Sequence, residues 1–209
     1  MIYMFYTVKK ETLLTMKVKI CGINDAVFAA EASRLGVDYL GFIFEPSSPR
    51  FVTLEKAVEI VSSLDASLRR RVRLVGVFVR ETPAEIIATM RRVGLDVVQL
   101  HRRATEEDVA ALKAAGYEVW TLAGGAEGDG VLFDSSHGDG DTAFRTGGFK
   151  SILAGRIGVE NVADALALKP DIIDVNSSIE TQPGVKSTIL LAGFLAKLHY
   201  CMIFSDRIK

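Results

Sequence analysis

The stretch VRLVGVFVRETPAEIIATMRRVGLDVVQL, from Val72 to Leu100, decides the fold. Val72 to Val79 is an almost unbroken apolar run of strand length, as expected of a strand covered on both faces in a parallel sheet. Thr82-Pro83 then opens a helix, proline being favourable at the first helical position, and Gly94 ends it. Asp96 to Leu100 is a second short apolar strand. Strand, helix, strand in this order predict a parallel crossover, and its repetition predicts a closed α/β barrel.

The pattern repeats in both directions. Upstream lie strands at Val18–Cys21 and Tyr39–Phe44, with helices capped by Asn24-Asp25 and Thr53 and ending at Gly36 and Leu64. Downstream, Thr105-Glu106-Glu107-Asp108 begins a helix that stops at Gly116, and Glu118–Leu122 is the fifth strand. Ala123–Gly130 is too short and Gly-rich for a full helix. Strands six to eight fall at Val131–Asp134, Ser151–Ala154 and Ile172–Val175. A Gly/Asp loop from Ser135 to Gly148 follows strand six, a helix over Val159–Leu168 follows strand seven, and a polar loop and a long helix over Lys186–His199 follow strand eight. The expectation is a single (β/α)8 barrel over residues 17–200 with a weak or missing fifth helix, an N-terminal extension at 1–16 and a C-terminal tail at 201–209.

Composition narrows the function classes. With 25 basic and 26 acidic side chains among 209 residues, the net charge of −1 carries no footprint for nucleic acid or an anionic membrane. Residues 1–16 lack the apolar core and small-residue cleavage site of a signal peptide and are too short and polar to span a bilayer. Cys21 and Cys201 have no metal-ligand spacing and no oxidising-compartment pattern, so a cytoplasmic location and no metal are expected.

A barrel of this kind builds its chemistry at the C-terminal ends of its strands. Cys21 ends strand one beside Gly22, either as a small buried hydrophobe or as a functional thiol. Asp134 ends strand six after Val131-Leu132-Phe133, where an acid needs a partner or a ligand; a helix cap is the alternative. Asp174 raises the same question on strand eight. Arg50 closes a loop stiffened by two prolines, and His101 follows strand four. Gly155 after strand seven, and Asn176-Ser177-Ser178 after strand eight, lie in the two loops where barrels frequently bind phosphate.

Lys19-Ile20-Cys21-Gly22, Ser48-Pro49-Arg50-Phe51-Val52, Val98-Gln99-Leu100-His101, Leu132-Phe133-Asp134-Ser135, Leu153-Ala154-Gly155 with Glu160-Asn161-Val162, and Asp174-Val175-Asn176-Ser177-Ser178-Ile179-Glu180 with Pro183-Gly184-Val185-Lys186 together resemble the phosphoribosylanthranilate isomerases of tryptophan biosynthesis. The resemblance implies a cofactor-free Amadori rearrangement of a phosphorylated small molecule. Asp134 matches the general acid and Cys21 the general base; Arg50, His101 and Asp174 match groups around the substrate, and Gly155, Ser177 and Ser178 its phosphate loops. It further implies a monomer or homodimer. Arg156, Ser178 and Arg102 stand where the family usually has glycine, and Ser187 where it has an acid. Arg156 could add a cation to the phosphate, whereas Asp139 and Asp141 would repel it. Rival readings are a related sugar-phosphate isomerase and a drifted barrel that binds a phosphometabolite without turnover.

Overall fold

The computed structural model describes residues 16–135 and 144–204. Eight parallel strands, each hydrogen-bonded to the next in chain order, close on themselves as β1 (Lys17–Cys21), β2 (Tyr39–Ile43), β3 (Arg73–Phe78), β4 (Val97–Leu100), β5 (Glu118–Leu122), β6 (Gly130–Asp134), β7 (Lys150–Ala154) and β8 (Ile172–Val175). Outside them run α1 (Ala26–Arg34), α2 (Leu54–Ser63), a single turn α3 (Ala66–Arg69), α4 (Pro83–Val93), α5 (Glu106–Ala114), α6 (Val162–Ala167) and α7 (Thr188–Phe204). The expected (β/α)8 barrel is therefore observed.

Local chemistry starts the helices where the sequence says. Asp25, Thr53, Thr82 and Thr105 each accept the backbone N–H three residues on, and Gly94 ends α4 in the left-handed conformation. Residues 123–129, between β5 and β6, form turns with no helix. Gly125 and Gly128 press against neighbouring backbone there: a Cβ would lie 2.7 Å from Ala104 N and 2.2 Å from Val119 O, respectively. Close approach replaces the helix.

Other details differ. α6 starts at Val162, three residues later than expected, because Asn161 is spent on the preceding turn, where it accepts from Gly158 N and donates to Arg156 O. α7 continues to Phe204 rather than stopping at His199, with Cys201 and Met202 half-buried against the core. The polar loop after β8 contains a hairpin, β9 (Glu180–Gln182) and β10 (Val185–Lys186), turning at Pro183-Gly184. The expected extension at 1–16 lies almost wholly outside the described residues, as do Asp139 and Asp141.

Two apolar layers result. Leu40, Phe42, Leu74 and Val98 point outward to the helices, while Tyr39, Val75, Val97 and Trp120 fill the barrel interior. At the N-terminal end of the strands one device occurs four times. Asp38, Asp96, Asp129 and Asp171, each one residue before an even-numbered strand, accept the backbone N–H of Val18, Leu74, Val119 and Ser151 on the preceding odd strand at 2.7–2.9 Å. Each aspartate's own N–H donates back to that residue's carbonyl, at 2.7–3.0 Å. These reciprocal clasps tie β1 to β2, β3 to β4, β5 to β6 and β7 to β8.

Candidate active site

The opposite, C-terminal end of the barrel opens into a cavity of about 400 Å³. Cys21, Asp134 and Asp174 reach it from the ends of β1, β6 and β8, Gln99 from β4, and Arg50, His101, Gly155 and Ser177 from the loops after strands two, four, seven and eight. Seven of the eight residues expected from sequence thus share one concavity. Ser178 does not line it. Its hydroxyl donates to the carbonyl of Ile157 at 2.5 Å, because the two phosphate-side loops touch there: a Cβ on Gly158 would lie 2.9 Å from Ser178 Cβ.

The floor of the cavity is charged. Lys19 is fully buried inside the barrel, and its Nζ donates to Asp174 Oδ2 at 2.7 Å. Cys21, two residues along the same strand, is 6% exposed. Gly41 on β2 gives both side chains room: a Cβ there would stand 3.2 Å from Cys21 Sγ, from Lys19 Cε and from Lys19 Nζ. Burial pushes the Cys21 thiol up, Lys19 pulls it down, and Asp174 adds to the upward push. Burial likewise raises the Asp174 carboxyl against the pull of Lys19. Burial disfavours the Lys19 ammonium, but Asp174 and Cys21 outweigh it and hold the pKa above the ordinary value. One buried cation faces two buried acids.

Two buried acceptors of residues lining the cavity lack partners among the described residues, Asp174 Oδ1 and Gln99 Oε1. Buried polar atoms are almost always hydrogen-bonded, so a pair of open acceptors in one cavity suits a ligand that brings hydroxyls. His101 Nε2 stands 3.9 Å from Asp134 Oδ2, and Asp134 is about one-tenth exposed, accessible to a small molecule.

Arg50 is aimed by a second network. Its Nε and Nη2 donate to the two oxygens of Glu180, each at 2.8 Å, and Lys186 Nζ donates to Glu180 Oε1 at 2.7 Å and Asn176 Oδ1 at 2.9 Å. Burial raises the Glu180 pKa, but the bonds from Arg50 and Lys186 outweigh it and hold the carboxylate below the usual range. Gly22, at φ 75°, clears the path, since a Cβ there would lie 3.0 Å from Arg50 Cδ. Sequence reading placed Lys19 on the same strand face as Cys21 without settling whether it approaches the thiol, and missed Gln99, Glu180 and Lys186 as contributors. The Pro183-Gly184 turn flanked by Glu180 and Lys186 signalled the hairpin, and the two-residue spacing to Cys21 signalled Lys19.

The positions that depart from the resemblance find separate explanations. Arg102 turns away from the cavity and forks onto Asp108 in the first turn of α5 at 2.5 and 2.9 Å, holding that acid's pKa at about 2. Ser187 accepts the N–H of Leu190 and so caps α7. Arg156 lines the cavity at φ 54°, directly after Gly155 at φ 100°. A side chain in this left-handed region is uncommon and unfavourable, and such residues gather at ligand sites.

No helix of the described residues is long and apolar enough to cross a membrane, and no group of three or more His, Cys, Asp or Glu among them is arranged to hold a metal ion. Residues 18–197 match the family model described as N-(5′-phosphoribosyl)anthranilate (PRA) isomerase. The chain is 37% identical to N-(5′-phosphoribosyl)anthranilate isomerase of Rhodospirillum centenum, over 88% of this chain and 98% of that one. It superposes on phosphoribosyl anthranilate isomerase from Thermus thermophilus with a TM-score of 0.77 and 32% identity, covering 88% of this chain and 99% of that one. A phosphoribosyl anthranilate isomerase solved with reduced 1-(o-carboxyphenylamino)-1-deoxyribulose 5-phosphate matches at a TM-score of 0.74 and 27% identity, over 88% and 99% of the two chains.

Proposed function

The chain belongs to the N-(5′-phosphoribosyl)anthranilate isomerase family, and from that premise we propose how its own residues run the reaction. It is an aldose–ketose isomerase of tryptophan biosynthesis, converting N-(5′-phosphoribosyl)anthranilate to 1-(2-carboxyphenylamino)-1-deoxyribulose 5-phosphate. Asp134 gives its proton to the ring oxygen as the nitrogen lone pair expels it, opening the furanose to a protonated Schiff base. The Cys21 thiolate takes the C2′ proton; the C–H electron pair forms the C1′=C2′ double bond as the imine π pair returns to the nitrogen, giving an enolamine. Tautomerisation protonates C1′ and removes the hydroxyl proton at C2′. The Cys21 thiol gives its proton to C1′ and the C2′ hydroxyl proton passes to the Asp134 carboxylate, so C1′ and the former ring oxygen gain the two hydrogens that C2′ and its hydroxyl lose, and both groups return to their starting state. Each positioned proton transfer contributes about 10²–10⁴-fold.

The observation that carries this reading is the convergence of Cys21 and Asp134, 113 positions apart in the numbering, on one cavity. Arg50 faces the anthranilate carboxylate with the guanidinium edge left over by Glu180. Asp174 Oδ1, Gln99 Oε1 and His101 meet the sugar hydroxyls. Gly155, Arg156 and Ser177 hold the phosphate; Ser178, its hydroxyl committed to Ile157, adds only its backbone N–H. A thiol that must stay reduced to act as a base suits the cytoplasm.

The test follows anthranilate fluorescence as the purified chain consumes freshly generated phosphoribosylanthranilate. Turnover that disappears in Asp134→Asn and Cys21→Ser is expected. Near-native turnover in either variant removes that residue from its role.

A further inference from the structure

We propose that Lys19 is a positioning residue for the base: its buried ammonium, beside Cys21 above Gly41, eases ionisation of the thiol against the burial that opposes it, and Asp174 competes for the same ammonium. The proposal rests on Cys21 being the base and adds what makes a buried thiol capable of it. Lys19 never reaches the cavity surface. It is fully buried in the barrel interior, where a lone ammonium is costly and is kept only when paired. Its Nζ donates to Asp174 Oδ2, and Nζ and the Cys21 sulfur crowd the same point above Gly41, each 3.2 Å from where a Cβ would be. A side chain larger than glycine at position 41 would press on both.

The charges around the thiol come from four elements. Lys19 lies on its own strand, Asp174 on β8, Lys186 on β10 and Arg50 on the loop after β2. Across the mouth, Asp134 on β6 acts on Asp174. Lys186 and Arg50 share Glu180, which absorbs much of their charge. That leaves Lys19, beside the sulfur above Gly41, as the cation with the largest pull on Cys21. A thiol is a base only as thiolate, and a cation beside it favours that form. Since Lys19 serves two acids, weakening the claim of either strengthens its hold on the other. A substrate hydroxyl donating to the open Asp174 Oδ1 would steady that carboxylate without its needing all of Lys19.

The test is a titration of the Cys21 thiolate by its ultraviolet absorbance, in a Cys201→Ser background so that one thiol is read. Lys19→Met is expected to move the titration to higher pH by about one to three units, the range for an opposite charge within contact distance. The rising limb of kcat/KM should move with it while KM changes little, and high pH should recover turnover. A folded Lys19→Met with wild-type titration and limb overturns the proposal. Should Lys19→Met not fold because Asp174 is left buried and unpaired, Asp174→Asn is compared with Lys19→Met/Asp174→Asn, which removes both charges. Asp174→Asn alone should lower the titration and the double variant raise it again; equal values overturn the proposal. Cys21→Ser separates the two ideas. Retained turnover there sinks the base assignment, whereas the titration reports the lysine–thiol coupling independently of activity.

Discussion

The two ends of this barrel handle buried charge in opposite ways. At the N-terminal end, Glu118 is fully engaged: Arg73, Lys150 and the indole N–H of Trp120 all donate to it. Burial alone would raise its pKa, but these donors hold it at about 2. At the C-terminal end, Asp174 receives one bond, from Lys19, and keeps an oxygen with no partner among the described residues; Gln99 does the same. One end is closed and satisfied, the other open and short of donors. A satisfied polar network rigidifies, whereas an unsatisfied one costs stability until a ligand completes it. A network complete without ligand suits the end that holds the barrel together, and an incomplete one suits the end proposed to take substrate.

Five changes would sharpen or break that division, beginning with the largest. Asp134→Asn should lower kcat about 10²–10⁴-fold and leave thermal stability near that of the parent, measured by turnover and calorimetry. Trp120→Ala, which empties the fully buried interior beside Tyr39, should cost about 3–5 kcal/mol in denaturant unfolding while the folded fraction retains its KM. A comparable loss of kcat per folded molecule would show that the two ends are not separate.

Glu118 gives the pH arm. Its folded pKa of about 2 lies below the ordinary 4.5, so the stability it adds is fully present above that value. It is lost as pH falls from 4.5 through 2. Glu118→Gln should be less stable than the parent at neutral pH, and the gap should close over that window. A constant gap would mean the carboxylate's charge is not the source.

Asp38→Ala removes one clasp and leaves the Val18 N–H without its acceptor, at an expected cost of about 1–3 kcal/mol and no change in KM. The smallest effect belongs to Arg156→Gly. Relief of the positive φ should offset the flexibility added by glycine, so stability changes little while KM for the phosphorylated substrate rises. Unchanged KM would remove Arg156 from the phosphate site.

How much of this was legible depends on the range of the interaction. β5 and β8 fall where the sequence reading puts them, to the residue, because short runs rich in β-branched and aromatic side chains mark strands even when Glu118, Thr121 or Asp174 interrupts them. The helix starts at Asp25, Thr53, Thr82 and Thr105 follow from caps that act within three residues. Cys21 and Asp134 could be singled out because each breaks an apolar run at a strand end. The network behind them could not. Lys19 meets Asp174 across 155 positions and Arg50 meets Glu180 across 130, and such pairings depend on barrel closure rather than on any local pattern. The two-residue spacing puts Lys19 on the same strand face as Cys21, but its pairing with Asp174 is set by closure of the barrel and has no local signal. The single turn α3 was missed for a different reason: four residues are too few to show a period.

The aspartate clasps have a geometric consequence for the far end of the molecule. In a closed sheet, strand tilt and stagger are linked, and a slip of one residue turns every side chain to the other face. Asp38, Asp129 and Asp171 also use their carbonyls to accept from Arg73, Lys150 and Lys17 on the next odd strand, so each of them fixes its position against both neighbours. Together the clasps set the stagger of the closed sheet from below. Whether Cys21 and Asp134 emerge pointing inward is thus decided at the opposite rim, by carboxylates that never approach the substrate.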